Sequence, residues 1–442
     1  MNKTKRKLSS FQIIILGFAG VVLLGALLLM LPISSQSHTV TPFNEALFTS
    51  TSAVCVTGLI VHDTATYWSL FGQIIILIMI QIGGLGVITV AASLTMLSGK
   101  KINLMQRSTM QEAISAQNVG GIVRLTQFVL KATAVLEVSG MLLMLPAFCK
   151  DYGAKGIWMS LFHSVSSFCN AGFDIMGKPG APYQSLTSYT ANPLINTVII
   201  LLIIIGGIGF LTWEDICTNK LRVKRYRLQS KIILVTSGIL IIIPAIFFFF
   251  ADFAGLPAGK RILVSLFQAV APRTAGFNTV DLTAMSEGSR GIMIVLMLIG
   301  GSPGSTAGGL KTTTFALLFI NSFAVFRRRE DPEAFGRRIE ASAIKNTAAI
   351  ITLYFTLFFG GAILLCTVEN IPFDICLFET ASAVGTVGLT LGITPGLGIF
   401  SQILLCVLMF LGRVGGLTLI YAALSGFDRK ISKYPVEKIT VG

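Results

Sequence analysis

The segment LFETASAVGTVGL at residues 377–389 has three counterparts earlier in the chain. They are LFTSTSAVCVTGL at 47–59, LFHSVSSFCNAGF at 161–173 and LFQAVAPRTAGF at 266–277. Each begins with Leu-Phe, continues through small residues and closes on a glycine followed by Leu or Phe. The closing glycines are 114, 104 and 112 residues apart, at Gly58, Gly172, Gly276 and Gly388. Four copies at a nearly constant period indicate a fourfold internal repeat.

Long apolar runs flank the four copies. Of the 442 residues, 53% are hydrophobic and only 12% are charged, unlike a soluble globular domain. A helix crosses the bilayer core with about 20 consecutive apolar residues. Runs of this kind lie at 11–32, 70–97, 128–148, 193–211, 232–250, 292–301 with its continuation, 347–366 and 399–424. The composition therefore predicts a polytopic helical protein embedded in the lipid bilayer.

Each copy lies between two apolar runs, which defines a repeating unit. Non-helical backbone at membrane depth is tolerated only where it is buried in protein or lines a watery cavity. We therefore expect an all-α polytopic membrane protein with four M1–P–M2 repeats (helix, re-entrant pore loop, helix) around a central pore and eight transmembrane spans. The expected repeats cover residues 8–98, 120–218, 230–326 and 340–426.

The first half of each copy predicts a half-helix of about two turns, followed by an extended return through the glycine. The carbonyl end of a helix carries partial negative charge, so four such ends directed at one axis favour a cation. Glycine adopts left-handed backbone without a Cβ penalty, which lets carbonyls face an ion. The candidate filter residues are Val56, Thr57, Gly58, Asn170, Ala171, Gly172, Thr274, Ala275, Gly276, Thr386, Val387 and Gly388.

The residue after Leu-Phe differs between the copies. Thr49, His163, Gln268 and Glu379 occupy this place, and we expect them to support the filter from behind. Glu379 is the candidate for a charge that attracts cations. The triplet 386–388 also matches the start of the TVGYG loop of potassium channels. A single triplet in a chain with 44 glycines carries little weight, and the fourfold repetition carries the prediction.

Glycine-rich stretches recur in the second helix of each unit, at 82–86, 205–209, 299–301 and 411–416. Small residues of this kind are typical of close helix packing in membranes.

The third unit departs from this pattern, because residues 300–314 contain five glycines and a proline. Glycine costs about 1 kcal/mol and proline about 3 kcal/mol in a helix interior, so we expect an intramembrane loop below the filter. A cytoplasmic loop between two short helices is the alternative, but apolar residues continue to 326 before Arg327. The candidate gate residues here are Gly300, Gly301, Ser302, Pro303, Gly304, Ser305, Thr306, Ala307, Gly308, Gly309 and Lys311.

Arg413 completes the candidate gate. It lies more than ten residues from either end of the apolar run 399–424. A charged residue at the centre of a membrane helix costs about 2.5–3.5 kcal/mol on insertion scales, so we expect it to face a cavity or a partner. A fixed positive charge under a cation filter slows permeation by repulsion.

The formal net charge is +14, and the basic residues are not randomly placed. They cluster at 3–7, 100–107, 220–231, 327–338 and 429–438, in alternate connections between the apolar runs. This is the positive-inside pattern of membrane proteins, and it argues against nucleic-acid binding. It predicts that both termini are cytoplasmic and that the number of spans is even.

The sequence does not predict an enzyme. It contains no P-loop, no HExxH, no GxSxG and no closely spaced pair of carboxylates. Its seven cysteines form no CxxC pair, which argues against a metal site and a disulfide framework. No organic cofactor is predicted, and without a nucleotide motif the transport energy must come from the membrane potential or another ion.

The four Leu-Phe…Gly segments, each between apolar runs, resemble the Trk/Ktr/HKT superfamily of cation transporters. The likeness covers nearly the whole chain. The first run begins near residue 11, without the additional leading helices of Trk-type subunits, so the chain looks most like the membrane subunits of bacterial Ktr potassium-uptake systems. The family's filter glycines fall on Gly58, Gly172, Gly276 and Gly388.

The resemblance implies a bacterial plasma-membrane protein that passes K⁺, with Na⁺ as a coupled or activating ion. It implies a gating loop in the third M2 helix and an arginine in the fourth, which match 300–314 and Arg413. It also implies a homodimer and a cytosolic ring of nucleotide-binding regulatory subunits of the RCK type. The alternative function is an alternating-access secondary cation transporter, whose broken helices can look similar.

Overall fold

The structure is a computed structural model that describes residues 9–98, 102, 104–114, 120–416, 435 and 437. The basic cluster at 3–7, most of that at 429–438, and the last ten residues of the expected fourth repeat lie outside the described residues.

The described residues form sixteen α-helices and one small hairpin. In chain order the helices are α1 Ser10–Leu29, α2 Phe43–Val54, α3 Leu70–Leu85, α4 Val87–Leu97, α5 Leu104–Ile114, α6 Ile122–Tyr152, α7 Lys155–Phe168, α8 Pro193–Gly207, α9 Phe210–Asn219, α10 Leu228–Ala251, α11 Ala258–Val270, α12 Glu287–Leu298, α13 Thr312–Phe326, α14 Ala341–Glu369, α15 Phe373–Gly385 and α16 Ile399–Val414. The strands β1 Glu333–Ala334 and β2 Arg337–Arg338 pair antiparallel.

Four long helices, α1, α6, α10 and α14, each precede a shorter buried helix. The long helices have 20 to 31 residues and are apolar enough to cross a membrane. The short helices α2, α7, α11 and α15 have 12 to 14 residues, which is more than three turns. The expected length of about two turns was therefore wrong. The helices begin before Leu-Phe, and three of them start directly after a proline, at Pro42, Pro257 and Pro372.

The helix after each of the first two return segments is sharply bent. The pair α3–α4 bends by 94° and the pair α8–α9 by 99°. The bends lie at Gly86 and Gly209, whose φ angles of 86° and 92° are accessible to glycine at little cost. Residues 70–97 and 193–211 therefore do not form straight spans as the apolar runs suggested. Counting each bent pair once gives up to six candidate spans in the described residues, so the eight-span arrangement stays a prediction.

Glycines in these later helices allow close packing against the short buried helices. A Cβ on Gly83, Gly206 or Gly412 would collide with a carbonyl oxygen at the end of the short helix in the same unit. The carbonyls belong to Val54, Phe168 and Val384. The glycine-rich stretches are thus packing devices, and they hold the ends of α2, α7 and α15 against the helix that follows.

Candidate functional site

The four return segments meet in a closed ring. Each closing glycine lies against the carbonyl oxygen of the residue that precedes the glycine of the next copy: Gly58 against Ala171, Gly172 against Ala275, Gly276 against Val387, and Gly388 against Thr57. A Cβ on Gly58 or Gly276 would lie 2.5 Å from that oxygen, and one on Gly172 would lie 2.8 Å away. The order of contacts is cyclic, so the four segments surround one axis.

The four segments share an unusual backbone conformation. The residue two places before each glycine has a positive φ, with values of 57°, 58°, 67° and 52° at Val56, Asn170, Thr274 and Thr386. The four glycines also have positive φ, between 68° and 96°. Non-glycine residues rarely adopt this conformation, and it persists only where the surroundings impose it. Strain at the same position in four copies points to a functional requirement on the backbone.

Backbone amides of the return segments donate hydrogen bonds to serines of the preceding short helices, and these bonds hold the segments in place. The Thr57 amide donates to Ser52 O at 2.8 Å, and the Gly58 amide donates to Ser52 Oγ at 3.0 Å. Ser382 accepts from Val387 and Gly388 in the same way. Within the described part of the chain, the carbonyls that contact the glycines accept no protein hydrogen bond. These oxygens are therefore available to a ligand on the axis.

Residues 299–311 form an irregular loop beside the ring, between α12 and α13. The Ser302 amide donates to Gly207 O at 2.9 Å, and Thr306 Oγ1 donates to Phe168 O at 3.1 Å. On the other side, the Gly309 amide donates to Gly412 O at 3.2 Å, and a Cβ on Gly308 would collide with the Thr386 side chain. The loop thus bridges the second and fourth units next to the ring.

Two basic side chains fasten this loop. The Arg413 guanidinium donates to Thr306 O in the loop, to Gly83 O, and to Gly84 O at 3.2 Å. Lys311 Nζ donates to Ala307 O at 2.8 Å and to Gly308 O at 3.3 Å. Both line one cavity of about 220 Å³. Arg413 does have partners, but it lies in the last turn of α16, because the helix ends before Gly415, whose φ is 90°.

Comparison with known proteins shows which family this chain belongs to. The family model TrkH, described as cation transport protein, matches residues 2–429. The chain belongs to the TrkH family.

Several relatives of this TrkH-family chain share its full length. It is 39% identical to the potassium/sodium uptake protein NtpJ of Enterococcus hirae, over 100% of this chain and 99% of that protein. It is 37% identical to the Ktr system potassium uptake protein B of Bacillus subtilis, over 98% and 96% of the two chains. The crystal structure of the potassium transporter TrkH from Vibrio parahaemolyticus matches with a TM-score of 0.74 at 17% identity, over 95% of this chain and 86% of that one. That match supports a shared fold, and the apolar helices agree with a multi-pass membrane protein.

Glu379 contacts the segment that follows the fourth glycine. Its side chain is buried, and its carboxylate accepts hydrogen bonds from the hydroxyls of Thr390, at 2.7 Å, and Thr394. The group therefore fastens the segment that follows the fourth glycine. His163 is similarly occupied within its own helix, where Nδ1 lies 2.8 Å from Met159 O.

One charged residue next to the ring, Arg273, was missing from the sequence predictions. Arg273 directly precedes the third return segment, is buried, and donates to Ser237 Oγ at 3.1 Å. Glu137 on α6 accepts from Gln81 Nε2 at 3.3 Å, and the thiol of Cys169 lies 3.9 Å from its other oxygen. The sequence could have indicated Arg273, because the third copy of the repeat is one residue shorter than the others and carries this charge beside its proline.

A further pair of acids lies in the segments that follow the first two glycines. Asp63 accepts from the Thr66 amide at 2.9 Å and from the Tyr183 amide at 3.0 Å, so it joins the first segment to the second. Asp174 follows Gly172 by two residues. Loss of hydration raises the pKa of the Asp174 carboxyl to about 7, a hydrogen bond from the Met176 amide opposes the rise, and the nearby Asp63 charge adds to it.

Proposed function

We propose that this protein is the ion-translocating membrane subunit of a Ktr-type potassium uptake system. K⁺ passes through the ring of Gly58, Gly172, Gly276 and Gly388, in a channel-like manner and down its electrochemical gradient. The observation that carries this proposal is the cyclic contact of each glycine with the carbonyl of the next copy. Relatives whose names state potassium uptake, at 39% and 37% identity, support the choice of ion.

The ring suits a dehydrated cation for two reasons. Backbone carbonyls replace the hydration shell of K⁺ in selectivity filters, and the carbonyls here are free of protein donors in the described residues. The carbonyl ends of α2, α7, α11 and α15 precede the ring and add partial negative charge. The filter residues are the twelve predicted ones, 56–58, 170–172, 274–276 and 386–388.

The loop at 299–311 acts as the gate in this proposal. It bridges two units beside the ring, and Arg413 and Lys311 bind its carbonyls. The charged hydrogen bond from Arg413 to the loop contributes about 1.5–3 kcal/mol to this closed position. Movement of the loop away from the axis requires that the bond from Arg413 to Thr306 O breaks, whereas the bonds of Lys311 lie within the loop and can move with it.

The proposal also includes the assembly that the protein forms with its own copies and with regulatory subunits. The protein forms a homodimer in the bacterial plasma membrane and binds a cytosolic ring of RCK-type nucleotide-binding regulatory subunits. Both termini face the cytoplasm, in agreement with the basic clusters. Na⁺ accompanies or activates transport, as the name of the Enterococcus hirae relative suggests for that protein. The chain itself has no enzymatic activity and uses no organic cofactor.

Tracer flux tests the proposal directly. The purified protein is reconstituted in liposomes, with and without its regulatory subunit, and ⁸⁶Rb⁺ uptake is measured under an inside-negative potential. We expect uptake above that of empty vesicles, and K⁺ should compete with the tracer better than Na⁺. Uptake equal to that of empty vesicles in both preparations would refute the proposal.

Alternating access is a second candidate, because the bends of 94° and 99° resemble the broken helices of secondary transporters. Current through a single protein in a planar bilayer separates the two. A resolvable unitary current supports channel-like conduction. Tracer uptake without such a current supports alternating access.

A further inference from the structure

A long apolar groove runs along the outside of the third unit, away from the ring. It has a volume of about 930 Å³, near the upper end for ligand pockets, and it lies between α10, α12 and α13. Its walls include Ile239, Val295 and Phe319, whose side chains are about half exposed. Gly291 also lines the groove, and a Cβ added there would meet no atom within 4 Å. The groove is therefore open space between helices.

A strained hairpin closes one end of this groove. Strands β1 and β2 are joined by Phe335 and Gly336, whose φ angles are 51° and 72°. Two positive φ angles define a type I′ turn, where Asn, Asp or Gly is preferred and a bulky aromatic residue is strained. Phe335 nevertheless occupies the first position, is 54% exposed, and lines the groove. An exposed aromatic ring at the tip of a hairpin suits the membrane interface.

Five arginines and four acids lie at the same end of the groove, in residues 327–340. The last groove residue on α13, Phe323, lies one turn before the exposed Arg327 and Arg328, and Arg337 directly follows the hairpin turn. The neighbouring Arg329 and Arg338 pair with Glu333 and Asp331. Arg327, Arg328 and Arg337 have no carboxylate within ion-pair distance in the described part of the chain. An apolar groove that ends near three arginines without an ion-pair partner complements a molecule with an acyl chain and an anionic head.

We propose that this groove binds one anionic phospholipid, with an acyl chain along α10, α12 and α13 and the phosphate at Arg327 and Arg337. Arginine binds phosphate oxygens through paired donors, and basic pockets between membrane helices bind anionic headgroups. Phe335 packs on the chain near its glycerol end. The site requires a bilayer around the third unit but does not depend on which ion the protein transports.

Native mass spectrometry of the full-length protein in detergent tests the site. Phosphatidylglycerol and phosphatidylcholine with identical acyl chains are titrated separately. We expect tighter binding of phosphatidylglycerol. The double variant Arg327→Gln/Arg337→Gln should weaken that binding about thirtyfold, at about 1 kcal/mol for each basic residue, and should weaken phosphatidylcholine binding less, because the choline of that headgroup offsets the phosphate charge. Equal binding of the two lipids, or unchanged affinity in the double variant, would overturn the proposal.

A pair of glycine variants tests the groove itself. Gly291→Leu fills it, whereas Gly238→Leu adds the same side chain to α10 at a position that does not line the groove and also has no atom within 4 Å. Lipid binding should fall in the first variant only, while both keep the thermal stability of the wild type. If Gly291→Leu instead changes the oligomeric state and leaves lipid binding intact, the groove is a protein interface and the proposal is wrong.

A spectroscopic probe gives an independent readout. In the variant Phe335→Trp, phosphatidylglycerol brominated on the acyl chain should quench the added tryptophan fluorescence, relative to wild-type protein with its three native tryptophans. Brominated phosphatidylcholine at the same concentration should quench it less. Equal quenching by the two lipids would count against a site that selects anionic headgroups.

Discussion

At the scale of single residues, two glycines of the fourth unit show why position matters more than residue type. Gly388 and Gly392 have nearly the same backbone, with φ of 96° and 93°. A Cβ on Gly388 would collide with Thr57 O of the first unit, whereas one on Gly392 would meet no atom within 4 Å. The two positions therefore share a positive φ, which strains any other residue, but Gly388 is buried against the ring and Gly392 is exposed.

This pair yields a matched test of the filter. We expect Gly388→Ser to weaken the preference for K⁺ over Na⁺, because the added side chain displaces the Thr57 carbonyl. Gly392→Ser carries the same strain and should keep the preference of the wild type. Competition of K⁺ and Na⁺ with ⁸⁶Rb⁺ uptake measures both. Equal selectivity in the two variants would contradict the filter assignment.

Arg413 is the second residue with a defined effect. Arg413→Ala removes the bonds to Thr306 and to Gly83, so the loop is released and ⁸⁶Rb⁺ flux should rise several-fold. Arg413→Lys keeps the charge but cannot reach both carbonyls at once, and we expect an intermediate flux. The thermal unfolding midpoint serves as the folding control. A well-folded alanine variant with unchanged or lower flux would argue against this role.

We expect the stability of the folded protein to depend on pH because of Asp174. Its pKa is raised to about 7 from an ordinary value of 3.8, so the folded protein binds this proton more tightly than the unfolded chain. Stability should therefore fall as pH rises from 4 to 7 and change little above that. In Asp174→Asn this contribution disappears, and the unfolding midpoint should drop less between pH 5 and pH 8. Replacing the exposed Asp281 by Asn should leave the wild-type drop, and an equal drop in all three proteins would contradict the assignment.

At the scale of elements, the loop at 299–311 differs from the other breaks. The bends after α3 and α8 each need one glycine, whereas the third unit loses helical structure over thirteen residues. The loop obtains its hydrogen bonds from other units, through Gly207, Phe168 and Gly412. An element held mainly by its neighbours can move without unfolding the helices on either side.

Shortening this loop should open the gate. Removal of Gly304 and Ser305 prevents the loop from reaching across to both units, so we expect higher ⁸⁶Rb⁺ flux. Removal of Pro179 and Gly180, in the exposed turn closed by Lys178 and Ala181, is the matched control and should leave flux unchanged. Lower flux in the first deletion, with its folding retained, would show that the loop supports conduction rather than blocking it.

At the scale of the whole molecule, the four return segments surround one axis, which we propose as the ion path. A conductive path of this kind is driven by the membrane potential, which supplies about 2.3 kcal/mol per charge for each 100 mV. Accumulation of ⁸⁶Rb⁺ should then rise about tenfold for every 60 mV of inside-negative potential. Liposomes with imposed potentials measure this ratio. Accumulation well above that limit would require coupling to a second ion.

The sequence predicted the features that repeat along the chain. It missed the features that depend on the local surroundings of single residues. The repeated Leu-Phe…Gly pattern located all four segments that meet in the ring, and the apolar runs predicted the membrane class that family membership confirms. The bends were missed, because Gly86 and Gly209 lie in apolar stretches that read as continuous helix. The partners of Glu379 were not predicted, because Thr390 and Thr394 lie beyond the repeated pattern.

By itself, the sequence determined that this protein is a helical membrane protein with a fourfold repeat, since apolar length and glycine position are local properties. The tertiary structure alone decided which carbonyl each glycine faces and what Arg413 binds. Thr306 and Gly83, its partners, are 107 and 330 residues away along the chain. Such contacts arise only when the four units close around one axis, because closure brings distant backbone carbonyls within reach of one guanidinium group.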